Sequence, residues 1–113
     1  MKADMETIVE DFRKKGKLFK KLQPILPKEL GIRNRIDIYK AVDLYGYFWA
    51  IISVSQKTRI LLKDVAKFEE IYKKLVIYSD HNYKYKMIYI DAPLCSKAKK
   101  GFKELGWRIN ASL

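Results

Sequence analysis

Cysteine is nearly absent from this chain. Cys95 is the only one, so no intramolecular disulfide can form. Histidine is equally scarce, with His81 alone. One of each supplies too few ligands for a Cys/His zinc site. No glycine-rich phosphate loop occurs, which argues against nucleoside-triphosphate chemistry. The longest apolar run, Tyr45 to Ile52, falls well short of the ~20 residues a membrane-spanning helix needs. The opening Met1-Lys2-Ala3-Asp4 leads into an amphipathic segment without the apolar core of a signal peptide. A soluble, cytoplasmic protein with no membrane association is expected. Internal repeats and low-complexity segments are also missing.

Acidic residues are the other shortage. Thirteen Asp and Glu face 24 Lys and Arg, which leaves a net charge of +11. Such an excess favours an anionic partner, with nucleic acid ahead of an acidic membrane surface. It also fits basic residues spread over every solvated face. The 49% hydrophobic and 33% charged fractions suit a globular protein. At 113 residues the chain reads as a single domain with a core of its own.

Periodicity places the elements. Asp4 caps a first helix in which Met5, Ile8, Val9 and Phe12 form one stripe. Phe19 and Leu22 extend that stripe past Gly16, and Pro24 ends it. Pro27 to Gly31 reads as a short helical turn and its stop. Ile36 to Leu44 reads as a strand, Gly46 as a turn, and Phe48 to Ser55 as a second strand. The near-continuous apolar run of that second strand suits the middle of a sheet covered on both faces. Ile60-Leu61-Leu62 suggests a short third strand. Asp64 caps a helix with the stripe Val65, Phe68, Ile71, Tyr72 and Leu75, and Val76-Ile77-Tyr78 suggests another short strand. Tyr83 to Ile90 alternates as a strand. A helix from about Pro93 to Leu105 ends at Gly106, and Trp107 to Ile109 closes the chain as a strand. Strands flanking a helix imply a parallel pair, and the Gly46 hairpin adds an antiparallel one. The expected fold is α/β: one domain, with a mixed central sheet flanked by helices.

The stretch from Val42 to Lys57 carries the sharpest chemical pattern. Asp43 opens a tight apolar hairpin, and the strand that follows runs out into Lys57. Together with the order of elements, this resembles the restriction-endonuclease-like fold, the PD-(D/E)XK nuclease superfamily, which includes archaeal Holliday-junction resolvases. The closing unit from Asp91 to Trp107 is similar to that family's final strand-helix-strand. The resemblance implies a glutamate from the first helix, here Glu10, and a hairpin aspartate, here Asp43. These acids would hold a divalent metal, and Lys57 would position the nucleophile or stabilise developing charge. The family's Glu-x-Lys is missing: Ser55-Gln56-Lys57 has Ser in the acid position, and Ser53-Val54-Ser55 has neither acid nor lysine. Serine is a poor ligand for a hard cation. Asp37 is a further carboxylate that could face such a site if the strand register allows.

Three readings follow. The first is a nucleic-acid-binding domain, for DNA rather than RNA, that has lost the metal site and uses no cofactor. The second is a metal-dependent DNA endonuclease with migrated ligands, using Asp43, Glu10 and Lys57 and needing Mg²⁺. The third is a protein-interaction module whose aromatic hairpin forms a partner surface. The resemblance also implies a homodimer. Lys14, Lys15, Lys17, Lys20 and Lys21, with Arg33 and Arg35, form one set of candidate phosphate contacts. Lys97, Lys99 and Lys100 at the start of the last helix form a second. The alternation of Tyr83 and Tyr85 with Lys84 and Lys86 suggests a base-stacking strand, against simple strand propensity. His81 reads as an exposed turn residue, and Cys95 as a small buried apolar one.

Overall fold

The computed structural model describes residues 2–33 and 35–111. Helix α1 (Met5–Lys14) leads into β1 (Phe19–Ile25), a 3-10 turn at Pro27–Leu30, and the hairpin β2 (Ile36–Asp43) and β3 (Phe48–Ser55). Then come α2 (Leu62–Ser79), β4 (Tyr85–Asp91), α3 (Ser96–Glu104) and β5 (Trp107–Asn110). The five strands form one mixed sheet in chain order. β1, β2 and β3 run antiparallel, whereas β3, β4 and β5 are parallel. The fold is therefore α/β, and β3 takes the central position that its apolar run requires.

Alternation along β3 feeds two cores. Ala50, Ile52 and Val54 point into the larger one, which α2 and α3 complete with Val65, Phe68, Ile71, Leu75, Ala98 and Phe102. Trp49 and Ile51 point the other way, toward Ile8 and Phe12 of α1. Ile51 is wholly buried. The hairpin turn depends on Gly46, whose φ of 85° is open to glycine but costly for a side chain.

Five expectations need correction. Phe19 and Leu22 do not extend α1, because Gly16 ends it in a left-handed conformation (φ 76°). The segment is instead the edge strand β1. A register shift between Phe19 and Lys21 inserts one residue, so Phe19 and Leu22 both reach the α1-side core. That bulge reproduces a helix-like spacing within a strand. Pro24 sits inside this strand rather than ending a helix, and an edge tolerates its missing N–H. Ile60 makes only a single bridge to Leu94, and Leu62 already begins α2. Val76 to Tyr78 are the last turns of α2, which stops at Asp80 in a left-handed conformation. Asp64 lies inside α2, where its carboxylate accepts from the Leu61 N–H at 2.8 Å. Among the described residues no helix is long and apolar enough to cross a membrane.

Candidate nucleic-acid interface

Asp43 closes β2 and is buried. Its Oδ1 accepts from the backbone N–H groups of Tyr45 (2.9 Å) and Tyr47 (3.0 Å), and its Oδ2 accepts from Trp49 Nε1 (3.0 Å). Burial pushes its pKa up. The hydrogen bonds and the nearby Lys17 charge outweigh that and hold the carboxyl below its ordinary value. The carboxylate is thus consumed in pinning the hairpin. Lys57 is exposed beyond the opposite end of β3, roughly 25 Å away at ~3.3 Å per strand residue. Glu10 is exposed on α1, with its carboxylate 3.8 Å from Arg13. Lys57, the expected catalytic lysine, is thus not brought to Asp43, and the two expected metal ligands have other partners: Asp43 the hairpin N–H groups and Glu10 the Arg13 side chain.

The register instead aligns a different polar row on the α1 side of the sheet. Asp37 lies opposite Ser53, and Ser53 opposite Tyr89. Lys2 Nζ reaches Asp37 at 3.4 Å, and Ser53 Oγ donates to the Ala3 carbonyl at 2.8 Å. Tyr89 donates to Asp11 at 2.6 Å, and Asn110 and Lys15 also bond that carboxylate. Ser55 donates to Asp91 at 2.8 Å. Each of these contacts ties the N-terminal segment, α1 or a neighbouring strand to the sheet. No group of three or more His, Cys, Asp or Glu that could hold a metal occurs among the described residues.

Cations gather where α1 meets the start of the parallel strands. Phe12, Lys15, Lys17, Trp49, Met87 and Arg108 line a groove of about 240 Å³ there, together with Ile109. Trp49 and Tyr85 stack at 4.4 Å between centroids. The Arg108 guanidinium lies 4.8 Å from the Tyr85 ring and 5.4 Å from Trp49, and Lys17 Nζ lies 5.8 Å from Trp49. At the rim, Lys84 Nζ sits 3.8 Å over Tyr47. A guanidinium stacked on a ring keeps its in-plane N–H donors free for a phosphate. Among the described residues no carboxylate lines the groove, although Asp11 pairs with Lys15 at 3.1 Å.

The sequence-derived cations divide between places. Lys15 and Lys17 enter the groove, and Lys14 stays exposed on α1. Lys20 and Lys21 lie on the edge strand, where lysines also discourage further strand pairing. Arg33 and Arg35 precede β2, at the far end of the sheet from the groove. Lys97, Lys99 and Lys100 are exposed on α3, on the other face. The stacking strand is not formed as expected. Tyr83 is buried, Tyr85 packs on Trp49, and Lys86 turns inward to pair with Glu69 at 2.8 Å beneath Trp107. His81 is half-buried between Phe48 and Tyr83 rather than exposed. Cys95 is half-buried and caps α3, its Sγ accepting from the Ala98 N–H at 3.3 Å. Sequence reasoning missed Arg108. Its parity opposite Trp107 in β5 was the available signal, but parity alone does not show that Trp49 and Tyr85 await it. Compared with family models, with curated proteins and with solved structures, the chain matches none.

Proposed function

We propose that this chain is a nucleic-acid-binding domain that grips the phosphate backbone of duplex or branched DNA with little sequence preference. The observation that supports the reading is the convergence of Lys15, Lys17 and Arg108 on one groove, where Asp11 pairs with Lys15 at 3.1 Å and, among the described residues, no carboxylate lines the wall beside Lys17 and Arg108. The net charge of +11 supports it. Aromatic rings beneath Arg108 and Lys17 hold the cations in place before a ligand arrives, which reduces the ordering cost of binding. Phosphate contacts set position but do not read bases.

A nuclease-like ancestry with a lost metal site belongs to the same proposal. The order of elements supports it, as does the register that sets Asp37 opposite Ser53. In that register the acid and lysine positions of the resembled motif fall on Ser53 and Ser55. Ser53 donates to a backbone carbonyl, so it offers no anionic oxygen to a metal.

The test is fluorescence anisotropy with a labelled duplex. Replacing Lys15, Lys17 and Arg108 together by Gln should weaken binding by at least tenfold at low salt and equally for unrelated sequences. Unchanged affinity would reject the groove. Magnesium in the same titration reports on the nuclease alternative: strand cutting abolished by Asp37→Ala or Asp43→Ala would replace this reading with an active enzyme.

A further inference from the structure

The sheet face opposite α1 is only partly covered. α2 and α3 close over its β3–β5 side, while the side toward β1 keeps a cavity of about 120 Å³. Lys21 and Gln23 of β1, Lys40 and Val42 of β2, Phe48 of β3 and His81 from the turn after α2 form its walls. The register explains the gathering. Lys21 lies opposite Val42 and Gln23 opposite Lys40, so strand alternation sends all four side chains to this face. Phe48 is 41% exposed although it begins the central strand. Its ring lies 4.3 Å from His81, which in turn lies 4.6 Å from Tyr83. Among the described residues no acid lines the cavity, and neither Lys21 nor Lys40 makes an ion pair.

Two unneutralised ammonium groups beside an exposed aromatic ring ask for a ligand that joins negative charge to a flat apolar face. A nucleotide has both. An acidic peptide would satisfy the lysines but leave Phe48 unmatched. The cavity has room for one ring system, far less than a drug-sized pocket. It lies on the opposite side of the β2–β3 hairpin from the Lys15–Lys17–Arg108 groove, so a strand leaving a duplex in that groove would round the hairpin tip to reach it.

We infer that this cavity receives one unpaired nucleotide, with its base against Phe48 and its phosphate between Lys21 and Lys40. The inference rests on the nucleic-acid reading above and adds a ligand class to it: a duplex that carries an extruded base or a single-stranded branch.

The test compares two duplexes about one and a half turns long, one fully paired and one with a single unpaired 2-aminopurine nucleotide. The chain should bind the second more tightly and quench its fluorescence. Phe48→Leu keeps an apolar side chain but removes the ring. It should abolish the quench and weaken the 2-aminopurine duplex about tenfold while leaving the paired duplex unchanged. Lys40→Gln should also act on the 2-aminopurine duplex alone, and thermal melts of both variants establish that they fold. Equal binding of the two duplexes, with the quench surviving Phe48→Leu, overturns the nucleotide site and leaves the groove reading standing. Binding of neither duplex overturns both. Displacement of the 2-aminopurine duplex by poly-glutamate, as strong as by a single-stranded oligonucleotide of equal charge, would assign the cavity to an acidic peptide instead.

Discussion

Asp43 shows how one residue can look catalytic and be structural. A carboxylate at a hairpin end beside lysines has the composition of a metal ligand. Here its oxygens accept three N–H groups from Tyr45, Tyr47 and Trp49. Because its folded pKa lies below its ordinary value, the ionised form stabilises the fold. That contribution is complete above the unfolded value of about 4 and is lost as pH falls through the lower folded value. Asp43→Asn keeps the shape but turns an amide N–H toward one of the donors. The variant should lose about 2–3 kcal/mol at neutral pH, and its own stability should no longer depend on this group below pH ~4. Urea denaturation across that range measures both effects. A variant as stable as the parent at pH 7 would refute the structural role of Asp43.

At the scale of elements, the central strand carries the fold. Ile51 is fully buried in the α1-side core, across from Tyr39 and Met87 on the neighbouring strands. Truncating it to Ala should cost roughly 2–5 kcal/mol, because rigid neighbours on both sides cannot collapse into the cavity. Chemical denaturation reads this directly, and a loss under 1 kcal/mol would show a looser core than the packing implies. The central strand was legible from its continuous apolar run, the hairpin from Gly46, the α2 stripe from its three-to-four spacing, and the β4–α3–β5 unit from Pro93 and Gly106, which bracket its helix. β1 was not. Its bulge restores an i, i+3 spacing between Phe19 and Leu22, and Lys20 and Lys21 look like a helix surface. The end of α2 was misread for a related reason: Val76, Ile77 and Tyr78 favour strands, yet a helix already propagating gains more by continuing to Ser79. The candidate groove was half legible. Lys15 and Lys17 announced themselves as a run, whereas Arg108 reaches Trp49 only through two strand pairings distant in sequence.

For the whole molecule, the question is whether +11 acts as one field or as separate footholds. The groove cations sit at the start of β3, and exposed Arg33 and Arg35 sit near its end. Those ends lie roughly 25 Å apart along an eight-residue strand, less than the molecule's longest extent of 34 Å. A duplex rises ~3.4 Å per base pair, so about six base pairs, roughly 20 Å, cannot reach both sets, whereas one and a half turns can. Arg33→Gln combined with Arg35→Gln should therefore weaken binding of the long duplex and lower its salt slope by up to about 2, at roughly 0.9 per lost phosphate contact. The same double variant should leave a six-base-pair stem, closed by a non-nucleotide linker, bound as before. Changing Lys15, Lys17 and Arg108 should weaken both ligands, and the two sets should act additively because they share no partners. Anisotropy over a range of salt concentrations separates the cases. Equal losses on the short and long ligands would mean that the arginines act through the general field of the protein, and that the duplex does not lie along the sheet from the groove to the far end.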